Sequence, residues 1–271
     1  MDLQGKTVLI TGSSDGLGKE VALLAAKAGA TVLLHGRSQA KAGPVLEDVR
    51  KAGPGDAELY LADLESLDEV RRLAAEVAAG RQRLDVLINN AGILRAGDKP
   101  RAENAEGVEL HFQVNYLAPF LLTRLLLPLI TQAAPSRIVN VSSLGQAPID
   151  FDDVMVERGY SGERGYCQSK LAQIMFTTDL AEQLNGSGVT VMSLHPGTFM
   201  NTNMVVGQGL TPRSKVEDGA RATFEMAFAP EHAQETGGFY NQFEPGSPNA
   251  QAADPEARRR LRALSEELTA A

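Results

Sequence analysis

The 271-residue chain predicts an α/β fold: one doubly wound domain over 1–271, with a mostly parallel seven-stranded sheet and helices on both faces. Three observations carry this. Short apolar runs alternate with amphipathic helical segments from end to end. A glycine-rich turn, T-G-S-S-D-G-L-G at 11–18, joins the first run to the first helix. No Pro/Gly/Ser-rich linker or internal repeat divides the chain.

The elements follow in order. T-V-L-I (7–10) is a strand, followed by a helix over about 16–28. T-V-L-L-H (31–35) is the second strand, with a helix from about Ser38. A-E-L-Y-L (57–61), a helix over about 66–79 and L-D-V-L-I (84–88) complete the first half. A long helix fits about 102–133, then R-I-V-N-V (137–141), a helix over about 164–185 and V-T-V-M-S-L (189–194). A helix over about 213–228, a short strand G-G-F-Y (237–240) and a C-terminal helix over about 254–268 end the chain. Strands separated by helices require crossover connections, whose right-handedness places helices on both faces.

Composition narrows the function. A net charge of -8 with no basic face argues against nucleic acid as a partner. The densest positive stretch, Arg258-Arg259-Arg260 with Arg262, sits beside Glu256, Glu266 and Glu267 and reads as a solvated helix face. One cysteine, Cys167, excludes a disulfide framework and fits a reducing cytoplasm. Its thiol reads as buried or inert. The four histidines show no ligand spacing, so no metal is expected, and His195 reads as structural. The N-terminus has no signal-peptide pattern. The longest apolar stretch, from Phe120, is broken by Arg124 and Pro128, so no membrane anchor is expected.

The glycine-rich turn is the first functional signal. Gly12, Gly16 and Gly18 stand where a strand becomes a helix, and a helix N-terminus offers free N–H groups to a pyrophosphate. The spacing is G-x-x-x-G-x-G rather than the common dinucleotide fingerprint. Within a βαβ array it reads as a nucleotide site. The second strand ends L-L-H-G-R-S, with Arg37 where a carboxylate would select an unphosphorylated adenine ribose. A guanidinium pairs with a 2′-phosphate, which favours NADP(H) over NAD(H). In Y-C-Q-S-K (166–170), Tyr166 and Lys170 are four residues apart. That spacing alone suits a solvated helix pair as well as a proton-transfer pair.

Several stretches together resemble the short-chain dehydrogenase/reductases, in detail the retinol-dehydrogenase-like branch. They are T-G-S-S-D-G-L-G (11–18), A-D-L (62–64), N-N-A-G (89–92), Q-V-N-Y-L (113–117), I-V-N-V-S-S (138–143), Y-C-Q-S-K (166–170) and L-H-P-G (194–197), in order over nearly the whole chain. The closing L-R-A-L-S-E-E-L resembles the branch's C-terminal helix.

The resemblance implies a Rossmann fold and an NAD(P)-dependent oxidoreductase acting on a small carbonyl or alcohol substrate, with a lipophilic substrate in view. It assigns Asn115, Ser143, Tyr166 and Lys170 to catalysis. The coenzyme would lie on Gly12, Ser14, Asp15, Gly16, Leu17, Gly18, Arg37, Asp63, Leu64, Asn90, Ala91 and Gly92. Tyr166, Lys170, Pro196, Gly197 and Thr198 would complete that site. Tyr166 would be the acid/base, its phenol lowered by the Lys170 ammonium and the oxidised nicotinamide. Ser143, with Ser142 as its competitor, would bond the substrate oxygen. Asn115 would hold a water in a relay through Lys170. Asp63 reads equally as a helix cap.

Asn201 stands where the family carries threonine, with Thr202 one place later. The stretch 144–165 is longer than in most of the family and is expected to form a loop over the active-site mouth. With 198–212 it would shape substrate choice. Phe199, Met200 and Met204 read either as pocket lining or as core. Dimers or tetramers through the helices at about 102–133 and 164–185 are what the resemblance implies. The alternative is a catalytically silent nucleotide-sensing or scaffold protein on the same fold, for which the tyrosine would serve no purpose.

Overall fold

A computed structural model describes residues 1–97 and 99–270. Strands β1 (Thr7–Ile10), β2 (Thr31–Gly36), β3 (Ala57–Leu61), β4 (Val86–Asn89), β5 (Ser136–Val141), β6 (Val189–His195), β7 (Phe239–Asn241) and β8 (Glu244–Pro245) form one sheet in the order β3-β2-β1-β4-β5-β6-β7-β8. Every pairing is parallel except β7 with β8, a two-residue antiparallel strand that makes eight where seven are expected. The helices are α1 (Gly16–Lys27), α2 (Gln39–Ala52), α3 (Leu67–Gly80), α4 (Leu110–Phe112), α5 (Ala118–Gln132), α6 (Gly162–Gln183), α7 (Asn203–Val206), α8 (Val216–Phe228) and α9 (Pro255–Ala270).

The strands are apolar on both sides because both faces are covered. Val8 and Ile10 enter the layer beneath α1, α2 and α8, while Leu9 enters the layer beneath α3, α5, α6 and α9. Leu33 and Leu87 follow Leu9, and Val32, Leu34, Val86 and Ile88 follow the other set. In α1 the small buried residues Ala22, Ala25 and Ala26 let the helix lie close to the sheet. In α3 the Ser66 hydroxyl accepts from Glu69 N at 3.4 Å, an N-cap that leaves Asp63 free of that role.

Two expectations need correction. The long helix does not begin near 102. Gly107 has φ +80°, and the Asn104 carboxamide oxygen accepts from Glu106 N and Val108 N, so 102–109 turns before Glu109 caps α4. The helix then widens to π geometry over Gln113–Leu117 before α5. Leu110–Gln132 together is long and apolar enough to cross a membrane, and most of it is buried against the sheet.

The arginines of α9 are not a purely solvated face either. Arg258 is 7% exposed and donates to Ala252 O (2.9 Å) and Glu182 (2.7 Å). Arg262 pairs with Asp179, Arg260 stacks on Phe151, and Tyr116 Oη bonds Ser265 Oγ. The helix packs over α6 and the Tyr116–Phe120–Phe176 cluster, on the side that the resemblance assigns to subunit pairing.

Candidate active site

The strand order reverses between the parallel neighbours β1 and β4, and the crevice beyond their C-terminal ends is where doubly wound folds bind ligands. There the 11–18 turn and N-N-A-G meet. Asn90 Nδ2 donates to Thr11 O (2.8 Å) and Gly12 O (3.2 Å), while Asn90 N and Ala91 N donate to Thr11 Oγ1. This close approach demands glycine. A Cβ on Gly12 would stand 2.8 Å from Ala91 Cα, and one on Gly18 2.5 Å from both Gly12 O and Asn90 Nδ2. Gly12 and Gly16 also have φ of +65° and +51°. Leu17 is buried, and Asp15 precedes the first turn of α1 with its carboxylate accepting from Asn203 Nδ2.

At the ends of β2 and β3, Ser14 packs on Gly36, and Arg37 is 61% exposed with its guanidinium 3.3 Å from Glu65 and 3.9 Å from Asp63. Asp63 also accepts from Glu65 N, and buried Leu64 offers its carbonyl to Gln113 Nε2. His35 lies beneath this corner: Gly12 N donates to its Nδ1 (3.0 Å), and its Nε2 meets Ala62 O (3.1 Å). Burial pushes its pKa down to about 4.

Ser143, Tyr166 and Lys170 converge where β5 meets α6. The two serines divide their work: Ser142 Oγ donates to Lys170 O, whereas the Ser143 hydroxyl faces the Tyr166 phenol and accepts from Gly145 N. Lys170 Nζ lies 5.8 Å from the Tyr166 ring centre and donates to Val141 O and Gln173 Oε1, each at 2.9 Å. Asn115, in the π segment, bonds both backbone groups of Ile93 and donates to Ser169 Oγ. A Cβ on Gly92 would stand 3.1 Å from Asn115 Oδ1 and 3.5 Å from Lys170 Nζ, so that glycine keeps the space between them open.

Burial pushes Lys170 down to about 7, since an ammonium is costly away from water. The same effect raises Tyr166, and the Ser143 hydroxyl opposes it. The expected lowering of the phenol is therefore not met by the protein alone, because desolvation outweighs the other influences. Burial also lowers His195 to about 4, leaving it neutral beside Thr198 Oγ1, and raises the Cys167 thiol to about 11.

Beyond β6, Pro196 O accepts from Gln242 Nε2 and Thr198 O from Ser214 Oγ, which fixes the turn around Gly197. Phe199 follows at φ +45° under Arg213. Met200 packs into the core against Gly219, and Met204 is exposed. Thr202 rather than Asn201 touches the phosphate turn: its methyl would meet a Cβ on Gly16 at 3.1 Å.

The structure adds groups that motif reading passed over. Gln173 steadies Lys170, and its place one turn further along α6 is the signal that could have found it. Buried Glu109 and His111 bond at 2.7 Å, with the imidazole edge-on to Tyr166 at 6.2 Å between ring centres. Gly165 has no Cβ because His111 Nδ1 would stand 3.0 Å from one. Nothing in the local pattern marks that contact.

The short chain dehydrogenase family profile matches residues 6–211. Retinol dehydrogenase 13 from Homo sapiens is 38% identical over 98% of this chain and 85% of its own length. Retinol dehydrogenase 11 from Mus musculus is 42% identical over 73% of this chain and 63% of its own length. Among solved structures, an uncharacterized protein from Mycobacterium Paratuberculosis superposes with a TM-score of 0.82 at 32% identity, covering 99% of this chain and 95% of that one. The Pseudomonas aeruginosa RhlG/NADP active-site complex superposes at 0.74 with 25% identity, covering 90% and 96%.

Proposed function

The chain belongs to the short-chain dehydrogenases and is an NAD(P)-dependent oxidoreductase, and from this premise we propose that it interconverts a carbonyl and an alcohol with Tyr166 as acid/base. The observation that carries this reading is the Ser143 hydroxyl facing the Tyr166 phenol, with buried Lys170 beside the ring.

A nicotinamide dinucleotide fits the residues present. A Cβ at Gly12 or Gly18 would collide with the walls that shape the cradle, and the N-terminus of α1 opens onto it. Gly12, Ser14, Asp15, Gly16, Leu17 and Gly18 would hold the pyrophosphate side. Asp63 and Leu64 would hold the adenine, and Asn90, Ala91 and Gly92 the adjoining ribose. Pro196, Gly197 and Thr198 would border the nicotinamide.

When bound, the nicotinamide supplies or accepts the hydride, and the chain's own residues manage the proton. In reduction the Tyr166 hydroxyl donates to the substrate oxygen, while the Ser143 hydroxyl bonds that oxygen and keeps it within reach. Lys170 would hold the nicotinamide ribose, and Asn115 would order the proton path behind it. Arg37 follows β2 and Ser14 packs on Gly36 at its end, a basic and a hydroxyl donor suited to a 2′-phosphate. The relatives named for retinol support a lipophilic substrate, which the loops 144–165 and 198–212 would select. A cytoplasmic setting is proposed on the free thiol of Cys167; recovery of the untagged chain in an alkali-resistant membrane fraction would contradict it.

The test is turnover with NADPH and with NADH against a panel of aldehydes, ketones and alcohols. NADPH should be preferred, and Arg37→Ala should erode that preference by about tenfold, the worth of a charge-assisted bond to phosphate. A native preference for NADH refutes the Arg37 assignment. Tyr166→Phe should lower kcat by about 10²–10⁴-fold with coenzyme Kd nearly unchanged. Full turnover by that variant would sink the acid/base assignment.

A further inference from the structure

We propose that His35 is a positioning residue that sets the phosphate turn for the coenzyme pyrophosphate and couples it to the adenine end of the site. The inference rests on the coenzyme reading above. Two segments of that site hang on this one residue. Gly12 N donates to His35 Nδ1 at 3.0 Å, Ser13 N donates to His35 O at 2.9 Å, and His35 N donates to Ser13 Oγ at 2.9 Å. On its far side Nε2 faces Ala62 O at 3.1 Å, the residue before Asp63 and Leu64.

The tautomer follows from these partners. An amide N–H can only donate, so Nδ1 carries a lone pair. Nε2 must then carry the proton and give it to Ala62 O. The ring is 2% exposed, and burial keeps it neutral, so this arrangement persists across the working pH range.

Glycine makes the turn able to approach a phosphate, but it also leaves the turn free to sample other conformations. Gly12 sits at φ +65°, and its N–H is fixed by the imidazole rather than by a neighbouring strand. His35 thus supplies order that the glycines do not, and the turn is already set when the pyrophosphate arrives. The bond to Ala62 O carries the same order to the β3 end, so the two halves of the coenzyme site keep their spacing.

The variants separate the two bonds. Asparagine has an acceptor at the place of Nδ1 and can keep Gly12 N. Glutamine can reach Ala62 O but not both groups. In NADPH-fluorescence titrations His35→Ala should raise Kd by about tenfold or more, the consequence of buried partners left unpaired. At saturating coenzyme its kcat should stay within about twofold of native. His35→Asn should recover most of the affinity, and His35→Gln should stay close to the alanine variant.

Native affinity in His35→Ala, or an asparagine variant as weak as alanine, overturns the inference while leaving the coenzyme site standing. Failure of the native protein to bind either NADPH or NADH overturns both. Should the alanine variant not fold, ¹⁵N-histidine spectra of the native protein decide. An Nε2–H tautomer whose Nδ1 resonance moves on adding NADP supports the proposal. An Nδ1–H tautomer refutes it.

Discussion

Tyr166 and Lys170 sit one helical turn apart, and desolvation drives both toward their neutral forms: the phenol upward, the ammonium down to about 7. The consequence for rate has a definite sign. Reduction needs the protonated phenol, which a raised pKa preserves, so kcat/KM for carbonyl reduction should be flat between about pH 6 and 9. Oxidation needs phenolate and should climb about tenfold per pH unit over the same range. An oxidation profile that levels off by about pH 7 would mean that the charge of Lys170 and the oxidised nicotinamide overrides burial. Stability follows a related rule. Between about 7 and the ordinary lysine value of about 10.4 the unfolded chain binds more protons at Lys170, so this residue's contribution improves as pH rises through that window. Motifs alone brought Tyr166, Lys170 and the two serines into view. Which serine faces the phenol depended on where β5 ends against α6, since Ser142 turns to Lys170 O.

The stretch 144–165 shows how elements constrain one another. Residues 145–161 form neither helix nor strand, yet they are latched. Gln251 accepts from Ile149 N (2.6 Å) and donates to Ile149 O, Gln146 accepts from Asn249 N, and Gln168 accepts from Asp150 N. Ile149 and Val156 anchor the segment in the interior. Gln251→Ala should therefore loosen the loop without touching the coenzyme cradle. Steady-state kinetics should return a several-fold higher KM for the carbonyl substrate, with coenzyme Kd unchanged. Equal losses in both would assign the latch to overall stability instead. The loop's position between two motifs was readable from spacing, whereas its latch partners Asn249 and Gln251 lie about a hundred residues away and share no local pattern. The π segment over Gln113–Leu117 was invisible for a different reason. An apolar helical period looks the same whether one turn is wide or regular; within the wide turn Asn115 and Gln113 bond Ile93 and Leu64.

Over the whole molecule, α9 closes one face of the sheet's helical layer. Arg258 holds Ala252 O and Glu182 from a site 7% exposed, so Arg258→Ala leaves a buried carbonyl unpaired at a cost of about 1–3 kcal/mol. Urea unfolding should show that loss with the coenzyme Kd unaltered, and an unchanged midpoint would return α9 to a peripheral role. The sequence by itself determined the parallel array, the glycine turn and the Tyr-Lys turn, because strand period, glycine placement and helical spacing are local. The tertiary structure alone decided that His35 ties the phosphate turn to Ala62, that Ser143 rather than Ser142 meets the phenol, and that burial raises the Tyr166 phenol. Each of these depends on distances between chain segments far apart in sequence, and on the water removed when they meet.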